Sequence, residues 1–168
     1  MICIGIIWNT SFPFKDEILK DISNFDSAEI IEEFDLDLND DYESFVRGMY
    51  ELDSIAQWKV DKKVNTMFES NDLRKVGIVF LNVDSSKQEY HPLKKRMVYS
   101  NLENLKSSIR NKYKEKVNLY FFDNVFHMTD DENEFKTTYS YLVDFIKSRE
   151  NKDEKGYTRI RKELKKYE

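Results

Sequence analysis

Two histidines lie far apart in the chain, His91 and His127, and only His127 has neighbours that suggest chemistry. It follows an aromatic, β-rich run over residues 120–126 and comes just before Thr129 and Asp130, where a helix is expected to begin. A strand-to-helix junction offers an anion both backbone donors and the positive end of a helix dipole. A neutral imidazole placed there can attack phosphorus or act as general acid or base. Lys106 and Arg110 are four residues apart, on one face of an expected helix, and Arg96 lies upstream. Each charge-assisted hydrogen bond contributes about 1.5–3 kcal/mol, so these cations could hold a diphosphate without a glycine loop. Arg110 is the strongest candidate for the clamp. The plain alternative is a histidine filling a polar slot at a strand end, with the cations paired to carboxylates such as Glu103.

Other chemistry is excluded by what is missing. Phosphate-cradling loops need clustered glycines, whereas Gly5, Gly48, Gly77 and Gly156 stand alone, so Walker-type and Rossmann-type sites are not expected. One cysteine and two distant histidines give no zinc-hydrolase pattern, and there is no G-x-S-x-G. Among the remaining residues, Lys59, Lys62 and Lys63 accompany Trp58, a set that could meet a nucleotide's phosphate and base; Trp58 is expected instead in the core. Asp35 and Asp37, alternating along a strand, could take magnesium but read better as a solvated face.

The elements that must position these residues can be read from periodicity. Residues 2–8 are continuously apolar, as in a central strand covered on both faces. Residues 15–22 have helical spacing. Residues 30–38 alternate, with Phe34, Leu36 and Leu38 on one side and Glu33, Asp35 and Asp37 on the other. Two helices follow, the first with Phe45, Val46, Met49 and Leu52 in a stripe and the second with Ile55, Trp58, Val64, Met67 and Phe68. A strand over 76–83, an irregular stretch over 84–99, a helix over 101–114, a β-rich run over 117–128 and a helix through Ile146 complete the order. This alternation predicts an α/β fold, a ferredoxin-like α/β sandwich with a small sheet covered by helices. One domain is expected over 1–147, followed by a charged helix or tail over 148–168 that is assigned no chemistry.

Charge is segregated along the chain. The net charge is −5, yet acidic residues dominate 26–53, with Arg47 alone against them, and Lys and Arg dominate 87–116. The basic segment is the natural place for a phosphate group. Cys3 cannot form an internal disulfide, which points to reducing cytoplasm. The run 2–8 is too short to span a bilayer and lacks a basic start, so neither membrane insertion nor export is expected. Nucleic acid is disfavoured by the overall charge and the lack of an RNA-module signature. Whether the chain forms a homo-oligomer is left open.

The run Asn124-Val125-Phe126-His127-Met128-Thr129-Asp130 resembles the active-site signature of nucleoside diphosphate kinases, which reads Asn, two apolar residues, His, Gly, Ser, Asp. Ile109-Arg110 is similar to that family's upstream Ile-Arg pair, and the element order resembles its fold. The resemblance implies that His127 accepts phosphate, Arg110 contacts the transferred phosphates, Asn124 holds the sugar or phosphate region and Thr129 hydrogen-bonds near the histidine. Asp130 would complete the ligand-binding set with Lys106 and Arg96. The family's glycine after histidine is Met128 here, and its Lys-Pro-Asp-Gly after the first strand is Ile7-Trp8-Asn9-Thr10. The fold and the anion site therefore carry over ahead of the reaction. Two expectations stand side by side: a phosphoryl- or nucleotidyl-transferase acting on a small phosphorylated ligand, magnesium arriving with the nucleotide, or a non-catalytic nucleotide-binding or protein-interaction module on the same scaffold.

Overall fold

The chain puts its most apolar segments in the middle of a sheet, which the computed structural model describes together with the rest of residues 1–53, 55–149, 162 and 165–167. β1 (Ile2–Ile7) and β3 (Lys75–Val83) are the inner strands and are almost wholly buried. β2 (Ala28–Asp37) and β6 (Phe126–Met128) are the edges, giving the order β2-β3-β1-β6 with every neighbouring pair antiparallel. β1 and β2 therefore run parallel, joined through α1 (Lys15–Ser23), and β3 and β6 run parallel, joined through α4 (Ser100–Tyr113). Two such crossovers interleaved in one antiparallel sheet make the ferredoxin-like arrangement expected from the sequence.

Both faces of the sheet are covered. Cys3 and Ile7 share one face with Val79, Leu81, Phe126 and Met128, and Ile18 and Ile22 of α1 and Leu102, Leu105 and Ile109 of α4 pack on it. Ile4, Ile6 and Trp8 share the opposite face with Ile78 and Phe80. That face is covered by α2 (Tyr42–Glu51), α3 (Gln57–Ser70) and α5 (Glu132–Lys147), through Phe45, Val64, Met67, Leu142 and Ile146. The continuous apolar run of β1 reflects this double coverage. Gly5 makes room for the Phe126 ring: a Cβ there would stand 2.8 Å from it, so any side chain would push aside the ring of the residue next to His127.

β2 alternates as expected, but its pairing with β3 slips by one residue between Ile30 and Glu32. Ahead of the bulge Ala28 and Ile30 pack toward α1; beyond it Phe34 and Leu36 face the other layer. An extra residue in a ladder reverses which side chains point inward, and this lets one strand serve two cores.

Three sequence expectations change. The stretch 84–99 is a hairpin, β4 (Gln88–His91) paired with β5 (Arg96–Tyr99), rather than an irregular excursion. The β-rich run 117–128 yields only the three residues of β6, because Phe122 and Asp123 adopt left-handed backbone that an extended strand cannot contain. Trp58 is 61% exposed instead of core. The buried stripe of α3 is Val60, Lys63, Val64 and Met67, and Trp58 lies about 200° round the helix from Val60.

The expected charged tail over 148–168 falls mostly outside the described residues. Where the chain is described again, at Lys165–Tyr167, Tyr167 stacks on Phe80 with ring centres 4.3 Å apart. No described helix is long and apolar enough to cross a membrane.

Candidate functional site

His127 pairs with Ile6 across the β1–β6 ladder, so its ring shares the face of Ile4, Ile6 and Trp8 and lies beneath α2 and α3. The strand ends are fixed by Trp8 N donating to Val125 O and Thr129 N donating to Ile4 O. Arg110 starts from the opposite layer, on α4. Because β6 is an edge, its guanidinium can reach round it: Nε donates to Phe126 O at 2.9 Å and Nη1 lies 3.1 Å from Asp123 Oδ2. His127 and Arg110 thus come from different layers and line one open cleft of about 620 Å³.

The cleft's rim carries an ion-pair network centred on Asp130. Lys94 Nζ lies 2.8 Å from Asp130 Oδ2 and 2.6 Å from Glu103 Oε1. Lys106 Nζ bonds Asp130 Oδ1 and lies 2.8 Å from Glu103 Oε1. Arg96 Nη2 lies 2.8 Å from Asp130 Oδ2 and 3.6 Å from Glu134 Oε1, and Arg96 Nη1 lies 3.4 Å from Asp131. The hairpin is what delivers Lys94 and Arg96 to this position. Against the effect of burial, Lys106 and Lys94 hold Glu103 down at about 2, and burial pulls Lys106 down to about 8 despite Glu103. These cations are therefore matched by carboxylates and not held out for an incoming anion.

The floor of the cleft is different. Lys63, 2% exposed, holds its amine 4.1 Å from the Tyr50 ring centre, 5.5 Å from Phe122 and 5.7 Å from Trp8. No hydrogen bond or ion pair reaches Lys63 among the described residues, and the buried Tyr50 hydroxyl is also without a partner. Tyr50 meets His127 edge-on with ring centres 6.2 Å apart. Burial, with Lys63, Arg110, Lys106 and Lys94 nearby, pushes His127 down to about 3, so the ring is neutral at neutral pH. Burial likewise takes Lys63 well below the ordinary lysine value, while Asp123 and Asp53 oppose the shift and Arg110 adds to it. A neutral imidazole and an amine that readily loses its proton face the same space, an arrangement concentrated at functional sites.

Phe122 and Asp123 join floor to rim. Their φ values are 40° and 57°, and a non-glycine pair in the left-handed region costs about 1–3 kcal/mol per residue. The turn they make places Phe122 over Lys63 and Asp123 on Arg110, both against the cleft.

Of the residues expected from the sequence, His127, Arg110, Lys106, Arg96 and Asp130 all line the cleft. Asn124 and Thr129 do not. Asn124 is fully buried, its Nδ2 donating to Leu119 O and its Oδ1 accepting from Phe121 N, so it shapes the loop before β6. Thr129 Oγ1 accepts from Ile4 N inside the sheet. The expected anion site at the helix start is also taken: α5 begins at Glu132, and Asp131 caps it by accepting from Asn133 N and Glu134 N. With those donors occupied, an anion has to be met by side chains.

Sequence reasoning missed Tyr50, Asp53 and Asp123, and it named Lys63 only together with Lys59 and Lys62, as a set that could meet a nucleotide beside Trp58. One signal could have found Lys63: it sits three residues after Val60 and four before Met67, a charged residue at an apolar position of the stripe. Asp35 and Asp37 lie on the outer face of β2, near Lys15 and Lys75 respectively. No cluster of three metal-type ligands forms among the described residues. The cleft's Asp123 and Asp130 are engaged by cations. No protein-family model matches the chain, and no curated protein matches it either.

Proposed function

We propose that the cleft binds a small phosphorylated molecule, a nucleotide or sugar phosphate, and acts as a phosphoryl- or nucleotidyl-transferase. His127 is the nucleophile or acid/base, and Arg110 is the clamp on the phosphate oxygens. The observation that carries this reading is the convergence of a neutral imidazole and a guanidinium, from opposite layers of the fold, on one open cleft. Among the described residues, Arg110 Nη2 has no partner, so it keeps donors for an anion while Nε and Nη1 fix the group in place. The imidazole lone pair attacks phosphorus, the bond to the leaving oxygen breaks, and the Arg110 guanidinium offsets the negative charge that develops. An anion bound beside His127 would also offset the cations that depress its basicity.

A second reading is a non-catalytic nucleotide-binding or protein-interaction module. It is favoured by the pairing of Lys94, Arg96 and Lys106 with carboxylates, which weakens the rim as a clamp. Incubation with radiolabelled nucleoside triphosphates separates the two. Transfer leaves an alkali-stable, acid-labile label that disappears in His127→Ala. Binding without transfer leaves no label but raises the melting temperature, an effect lost in Arg110→Ala. A ligand at 100 times its Kd stabilises the fold by about 2.7 kcal/mol, which a melt resolves. No label and no shift with any nucleotide or sugar phosphate would sink the phosphate reading.

A further inference from the structure

Two lysines in the cleft are almost equally buried, Lys63 and Lys106, each 2% exposed. Lys106 has Glu103 and Asp130 against its amine. Lys63 has three aromatic rings and no carboxylate at ion-pair distance among the described residues. An ammonium ion packed against aromatic rings without a close counter-ion is disfavoured, which lowers the affinity of Lys63 for its proton. The groups facing it are Tyr50 and Asp53 from the end of α2, Arg110 from α4, Phe122 and Asp123 from the left-handed turn, and His127 from β6. A primary amine held against aromatic rings, without a close carboxylate, and opening onto a cleft has its neutral, nucleophilic form favoured over that of an ordinary surface lysine.

We propose that Lys63 forms an imine with an aldehyde or ketone bound in this cleft, so that the ligand is a small carbonyl compound bearing an anionic group. The inference rests on the phosphorylated-ligand reading only for that anionic group, which Arg110 takes. The Nζ lone pair attacks the carbonyl carbon, a C–N bond forms, and the C=O π pair moves to oxygen. That oxygen takes a proton from the Tyr50 hydroxyl, which has no other partner, and the nitrogen returns a proton to the phenolate. The carbinolamine then expels its hydroxyl as water with a second proton from nitrogen, and the C=N bond forms. The balance is one amine and one carbonyl giving one imine and one water, with no change of oxidation state.

Trapping tests this in the intact chain. The wild-type protein is incubated at pH 7 with cyanoborohydride and either acetaldehyde or glycolaldehyde phosphate, and modified lysines are located by peptide mass spectrometry. Lys62, exposed and adjacent in sequence, is the internal control. Lys63 is expected to react at least roughly ten-fold faster than Lys62 at pH 7, and its advantage should shrink as pH rises toward about 10, where ordinary lysines also lose their proton. Glycolaldehyde phosphate is expected to label Lys63 at lower concentration than acetaldehyde does, and Arg110→Ala should abolish that preference. Tyr50→Phe should slow labelling of Lys63 by both aldehydes and leave Lys62 unaffected. If Lys63 is unlabelled, or labelled no faster than Lys62, the imine proposal is overturned, even if phosphorylated ligands still shift the melt. If Lys63 is labelled fast by acetaldehyde with no preference for the phosphorylated aldehyde, the imine stands and the phosphate reading fails.

Discussion

The Lys63 amine stands 4.1 Å from the centre of the Tyr50 ring, and neither that amine nor the Tyr50 hydroxyl has a hydrogen-bond partner among the described residues. Two polar groups from adjacent helices, α2 and α3, thus lie side by side at the floor of the cleft that His127 lines. A pair of this kind lowers stability, because the Tyr50 hydroxyl has lost water without gaining a partner and the Lys63 ammonium sits against aromatic rings with no close carboxylate among the described residues.

Replacing the amine with an apolar group of similar shape should therefore stabilise the fold. Lys63→Met is expected to gain about 1–3 kcal/mol, seen as a higher urea midpoint at unchanged m-value. Tyr50→Phe should be neutral or stabilising by about 1 kcal/mol. A loss of stability in Lys63→Met would mean that the amine has a partner it requires.

Asp130 gathers three cations, so removing its charge has two opposite effects. Asp130→Asn leaves buried Lys106 with Glu103 alone and should cost roughly 2–4 kcal/mol in denaturant unfolding. It also releases part of the rim's positive charge, so the variant should bind pyrophosphate more tightly than the wild type by calorimetry. Equal or weaker binding would show that the rim cations do not face the ligand.

Asn124 and Thr129 should behave as structural residues. Thr129→Val leaves the Ile4 N–H unpaired inside the sheet and should cost about 1–3 kcal/mol. Asp131→Ala removes the cap of α5 and should cost about 1 kcal/mol. Thr129→Val should not change ligand affinity once the folded fraction is accounted for; an affinity loss greater than its stability loss would return Thr129 to the site.

His127 makes stability depend on pH in a definite direction. In the unfolded chain its imidazole protonates near the ordinary value of 6.5, whereas in the folded chain burial and nearby cations hold it down to about 3. Between these values the unfolded state binds the extra proton, so this contribution is complete above about pH 6.5 and is lost as pH falls toward about 3. Glu134, raised by burial, and Asp53, raised likewise, act in the opposite sense above the usual carboxylate range. The comparison that isolates the histidine is His127→Asn, whose stability should vary less than the wild type's between pH 6.5 and 4.5 in parallel denaturation series. An unchanged slope would show that the ring is not held neutral.

The fold was legible where local pattern and tertiary environment agree. Continuous apolar runs marked β1 and β3 because those strands are covered on both faces, and the alternation of Phe34 and Leu36 marked β2 because it is an edge. The candidate site was legible only in part. His127, Arg110, Lys106, Arg96 and Asp130 were found from residue type and spacing, and all line the cleft. Thr129 and Asn124 were misplaced because a polar residue beside a histidine looks the same in sequence whether it faces a ligand or satisfies a backbone group. The left-handed turn at Phe122 and Asp123 gave little warning: aspartate tolerates that backbone, but a bulky phenylalanine ahead of it does not favour it.

By itself, then, the order of residues determined β1, β2 and β3, the helices and the ferredoxin-like alternation, since these follow from periodicities of about two and about 3.6 residues that neighbouring side chains impose. Only the tertiary structure decided that β6 is a three-residue edge and that Arg110 passes round it to reach the face of His127. It also decided that Asp130 neutralises the basic rim while Lys63 is left among aromatic rings. Whether a charge is paired, and how far it is from water, depends on residues distant in sequence, and that is why the chemistry of the cleft appears only after folding.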